Sequence, residues 1–139
     1  MNADTVQKMA RATLTGDLPF PEIVGNLIAQ GVEYYRIDYA AQQMAFYSAA
    51  GSLVLAPLCI DDLPAVATDF DAPALQAAIL DSQRHGQKFR QFSHRAVQAG
   101  LTMQVDHVAR RHRHARPQLV VAHQFPGALA QLAQRRRGE

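Results

Sequence analysis

The sequence predicts a single α+β domain, with helices packed on one face of a mostly antiparallel sheet and elements in the order ααβββααββ. Three observations carry that expectation. Apolar residues recur at helical spacing in residues 4–15 and 71–100. After Gly31 the period changes to two, and all four tyrosines fall between residues 34 and 47. Short apolar runs then alternate with Gly, Pro and Asp-Asp breaks, as in a meander plus a second strand pair. A chain of 139 residues buries enough surface to fold as one domain without a disulfide or a metal. The domain is assigned to residues 1–127, with 128–139 as a short helix or a disordered basic tail.

Asp4 and Gln7 have the spacing of a capping box, and Val6, Met9, Ala10 and Thr13 follow at helical intervals up to Gly16. Leu18-Pro-Phe-Pro21 breaks the chain. Pro21 suits the first position of a second helix, with Val24, Leu27 and Ile28 facing inward and Gly31 as its stop. Gly25 inside that helix costs about 1 kcal/mol relative to Ala, which close approach to a neighbouring element would explain. In the first strand, alternation places Tyr35, Ile37 and Tyr39 on the core face and Tyr34, Arg36 and Asp38 on the other. Residues 42–49 return as a second strand, Ala50-Gly51 turns, and Ser52 to Pro57 form a third.

Asp71 is placed to cap a helix ending at Gly86, and a fourth helix carries Phe89, Phe92, Ala96 and Val97 up to Gly100. Strands are expected over 101–109 and 118–125. The chain thereby repeats an ααβ order. Aligning residues 29–38 with 98–106 through one deletion equates Asp38 with Asp106, the pattern of an internal duplication.

The net charge of +2 is unevenly spread: residues 1–100 hold seven Lys/Arg against ten Asp/Glu, and residues 101–139 hold seven Arg against two acids. Cys59 is the single cysteine, which excludes an intrachain disulfide and a Cys-rich zinc site and fits the cytoplasm. Neither a signal peptide nor an 18-residue apolar run is present, so no membrane association is expected.

The segments Leu18-Pro-Phe-Pro-Glu-Ile-Val24, Gly31 to Tyr39, Phe46-Tyr47, Asp69-Phe-Asp71 and Ser82-Gln-Arg-His-Gly86 together resemble the YdfO-like family of bacterial and prophage proteins, often labelled "phage envelope protein". The resemblance covers residues 1–100. It implies a compact α+β domain with helices on an antiparallel sheet, and no activity.

Several sets of residues carry possible chemistry. The outer ribbon face of Tyr34, Arg36, Asp38 and Tyr47 is the candidate surface for a ligand or partner. Arg110, Arg111, Arg113, Arg116, Arg135, Arg136 and Arg137 could neutralise phosphates, making nucleic-acid binding the second reading. His107, His112, His114 and His123 form a weak metal candidate, opposed by the neighbouring arginines. An enzyme would have to use the Tyr/Arg/Asp face or the acids with His85 or His94. Yet Asp71 reads as a cap, Asp38 as an ion-pair partner and His85 as a helix-end residue. Cys59 between Leu58 and Ile60 reads as a buried small hydrophobe. There is no phosphate loop or nucleophile motif, so no cofactor is expected. The sequence favours a non-catalytic binding or regulatory module with an unidentified protein or small ligand as partner, and homodimerisation is expected.

Overall fold

Asn2, in extended backbone geometry, opens the first helix by accepting the Thr5 N–H at 3.0 Å. In this computed structural model, which describes residues 1–108 and 119–122, α1 spans Ala3–Thr15. The cap is therefore Asn2 and not Asp4, which sits inside the first turn where its charge complements the helix dipole. Gly16 closes α1 at φ 75°. In α2 (Phe20–Ala29) Pro21 is the second residue and not the first as expected, and Pro19 is the N-cap. Ile23 and Leu27 are its buried residues, with Val24 and Ile28 partly buried against the core.

Gly25 is exposed, and a Cβ built on it meets nothing within 4 Å. Close approach does not explain this glycine. Gly25→Ala is expected to stabilise the protein by about 0.5–1 kcal/mol, readable as a higher urea midpoint at unchanged slope.

Three strands follow, β1 (Val32–Asp38), β2 (Gln43–Ser48) and β3 (Leu53–Pro57). Then come α3 (Ala72–His85), α4 (Phe89–Gln98), β4 (Met103–His107) and β5 (Leu119–Ala122). All pairings are antiparallel, and the five-stranded sheet has the order β3-β2-β1-β4-β5. The α+β class and the element order are those expected from the sequence. β2 and β3 are slightly shorter than expected and β4 begins at Met103, while residues 109–118 and 123–139, which include the tail, lie outside the described residues.

The helices cover the sheet face that carries Tyr35, Ile37 and Tyr39, which are 5, 0 and 3 % exposed. Met44, Phe46, Val54 and Ala56 share that core with Val6, Leu27, Leu75 and Val97. Asp71 caps α3 by accepting the Ala74 N–H at 3.0 Å. Between α3 and α4, Arg95 donates to Asp81 at 2.7 Å. Hydrogen bonding from His85, and then from Arg95, holds the Asp81 carboxyl below the ordinary carboxylate range. Cys59 is exposed. It follows β3 where the alternation continues and Leu58 takes the inward position, so the expected burial of the thiol does not hold.

β1 and β4 lie side by side at the centre of the sheet, each preceded by a helix pair. The repeat needs no deletion. A shift of 69 positions, from Gly31 to Gly100, carries Tyr35 onto Gln104 and Ile37 onto Asp106, and the register pairs Tyr35 with Asp106 and Ile37 with Gln104. The two strands are thus paired symmetrically about the Arg36–Val105 pair, each preceded by its own helix pair. Asp38 and Asp106, equated by the gapped alignment, stand on opposite sheet faces: Asp38 is half-buried on the outer face and Asp106 is 3 % exposed in the interior.

Candidate ligand-binding cleft

Each of the two adjacent strands β1 and β4 follows its own helix pair, and the space between the two pairs above these strands is open. A cleft of about 940 Å³ lies there, within the range of about 300–1,000 Å³ typical of small-molecule sites. Its first wall is the end of α1, the following loop and the start of α2, with Thr13, Leu14, Leu18 and Phe20. The second comes from α3, α4 and their connection, with Ile79, Ser82, Gln87, Phe89 and Phe92. Tyr35, Gln104 and Asp106 from the two central strands also line it and form its floor. Lys88 and Arg90 add positive charge, although Arg90 is also 3.5 Å from Asp62.

The floor is polar where a sheet core is ordinarily apolar. The Tyr35 hydroxyl donates to Asp106 Oδ2 at 2.8 Å. The Tyr39 hydroxyl donates to Gln104 Oε1 at 3.0 Å and is 3.1 Å from Ser93 Oγ. A phenol has one proton. With that proton given to Gln104, the Ser93 hydroxyl is the donor in the second contact, so a buried chain runs from Ser93 to Tyr39 to Gln104. Burial pushes the Tyr39 phenol well above its ordinary pKa, against a smaller opposing effect of the Ser93 contact. Tyr39 therefore remains a neutral donor.

The four ribbon residues singled out in the sequence occupy the opposite, outer face. Tyr34 and Tyr47 are cross-strand partners there and stack with centroids 4.7 Å apart and planes at 13°. His107 extends the row at 5.6 Å from Tyr34. Arg36 stands one rung away, paired with Ala45 and Val105, and its Nε is buried with no hydrogen-bond partner among the described residues. Asp38 ends the strand and accepts the Ala41 N–H at 2.8 Å. That bond orders the β1–β2 turn, and among the described residues no ion pair involves Asp38. Tyr34, Arg36 and Tyr47 are thus grouped, while Asp38 serves the turn.

His85 lies 2.9 Å from Asp81 and His94 lies 3.8 Å from Asp62, both as partly exposed pairs. Among the described residues no group of three or more His, Cys, Asp or Glu could hold a metal. Nor does any described helix have the length and apolarity to cross a membrane. Arg110, Arg111, Arg113, Arg116, Arg135, Arg136 and Arg137, with His112, His114 and His123, lie outside the described residues.

Gln104 and Asp106 went unmarked as site residues because β4 inverts the usual pattern. Met103 and Val105 alternate with them, so hydropathy alone turns the polar pair outward. The available signal was indirect: a register that sets Asp106 opposite Tyr35 brings a carboxylate beneath a phenol.

A scan against protein-family models finds no match for this chain, and a search of curated proteins finds none similar to it.

Proposed function

We propose that this protein is a cytoplasmic small-molecule-binding module whose site is the cleft between its two helix pairs. The observation that carries the reading is the combination of an apolar-walled cleft with a polar floor of Tyr35, Gln104 and Asp106. Two buried polar residues on a core strand cost stability unless their hydrogen bonds are supplied. A floor of this kind gives a ligand orientation, while Leu18, Phe20, Ile79 and Phe89 supply the apolar contact. Kinship with the YdfO-like family belongs to the same proposal. It brings no activity, and the reading rests on the cleft.

The neutral dye phenylnaphthylamine, which brightens on leaving water, tests this. Saturable binding to one site is expected, with a dissociation constant in the micromolar range. Ser82→Trp on α3 and Thr13→Trp on α1 each insert an indole from opposite walls, and both are expected to weaken binding at least about tenfold, or about 1.4 kcal/mol. Tyr47→Ser on the outer face is expected to leave binding unchanged. Circular dichroism checks that each variant folds. No saturable binding, or undiminished binding in both folded tryptophan variants, overturns the proposal.

A further inference from the structure

The hydrogen-bond direction at the cleft floor limits what the cleft accepts. Gln104 is 4 % exposed and lines the cleft. Its Oε1 accepts the Tyr39 hydroxyl at 3.0 Å, in a chain that begins at Ser93, a residue 0 % exposed. The structure places the amide with its carbonyl oxygen toward Tyr39, which leaves the NH2 group as the part of the side chain available to a ligand. An amide NH2 is a donor only. The ligand group meeting it must accept a hydrogen bond.

Acceptors are neutral or anionic, and the surroundings of the floor separate the two. Asp106 lies two positions along the same strand, on the same face and 3 % exposed, with Oδ2 accepting the Tyr35 hydroxyl. A ligand carboxylate on this floor would lose its hydration between Leu18, Ile79, Phe89 and Phe92, which is unfavourable. Lys88 and Arg90 would favour an anion, but both are exposed to solvent, where attraction is weak. The floor decides over the rim.

We infer that the cleft takes an uncharged, largely apolar ligand carrying a carbonyl oxygen, which accepts a hydrogen bond from Gln104 Nε2 while its body lies against Leu18, Ile79, Phe89 and Phe92. This rests on the reading of the cleft as a binding site and adds the chemical class of its ligand.

The naphthyl ketone dye prodan is a suitable probe, because its emission moves to the red when its carbonyl accepts a hydrogen bond. Prodan is expected to bind the wild-type protein more tightly than phenylnaphthylamine, which lacks the carbonyl, and than the anionic dimethylaminonaphthoate. Gln104→Leu is expected to weaken prodan at least about fivefold more than it changes phenylnaphthylamine, and to shift the bound prodan emission to the blue. Gln104→Glu keeps an acceptor for Tyr39 and loses the NH2 donor, so it serves as a second variant should the leucine protein fail to fold.

If phenylnaphthylamine binds in the cleft while prodan binds no better, or keeps its affinity and emission colour in the folded Gln104 variants, the ligand class is wrong and the cleft reading survives. Tighter binding of the naphthoate than of prodan also overturns the class. If no dye responds to Ser82→Trp or Thr13→Trp, the cleft reading itself fails.

Discussion

Gly100→Ala is expected to lower stability by about 3 kcal/mol or more, although it adds a single methyl group. Two costs combine. Gly100 has φ 86°, in the left-handed region where a side chain costs about 1–2 kcal/mol. A Cβ there would also press on backbone, lying within 3.0 Å of the Asp69 carbonyl carbon and of Phe70 Cα. That backbone has little freedom to withdraw. The Ala67 N–H bonds Val97 O and the Asp71 N–H bonds Ala99 O, both at 2.8 Å, so segment 67–71 is tied to the end of α4 on either side of the clash.

The pseudo-repeat supplies the control. Gly31, its counterpart at the end of α2, has φ 82° but open space around its Cβ position. Gly31→Ala is expected to cost only the conformational part, about 1–2 kcal/mol. Urea denaturation of the two variants measures the difference. Equal losses would mean that segment 67–71 does not dock against Gly100.

Ile37→Ala is the second large effect, expected at about 2–5 kcal/mol. Ile37 is 0 % exposed on the central strand, flanked by Met44 on β2 and Gln104 on β4. The layer of helices above closes poorly over a hole there, because the strands on both sides are fixed by their backbone ladders. A domain of this size is held by about 5–15 kcal/mol in total, so the variant should unfold at markedly lower urea. A loss below about 1 kcal/mol would place Ile37 outside the core.

Ile37 also shows how far the sequence could be read. A strand with one buried face repeats every second residue, and Tyr35, Ile37 and Tyr39 follow that rule without exception. Helix stops were legible for the same local reason, since glycines follow α1, α3 and the turn residues after α2 and α4; of the starts, Asp71 caps α3 as expected, whereas α1 is capped by Asn2 and not Asp4. The cleft was not legible. Its floor joins Tyr35 to Asp106, 71 positions apart, and its walls come from helices that no local pattern places opposite each other. β4 misleads outright, since its apolar residues Met103 and Val105 are the less buried set. The tyrosine ribbon drew attention to its outer face, yet on its inner face Tyr35 lines the polar floor and Tyr39 holds Gln104 from beneath it. The exposed Cys59 is a smaller case: apolar neighbours in sequence say little about burial where alternation turns every second residue outward.

The claim that matters most is where a ligand sits. Titrating isotope-labelled protein with prodan while recording backbone amide shifts locates it directly. The largest changes are expected at Thr13 to Gly16, Ser82 to Phe89 and Gln104, with Tyr47 and Leu53 on the outer strands unmoved. Changes gathered at Tyr34, Arg36 and Tyr47, with the cleft amides still, would contradict this placement.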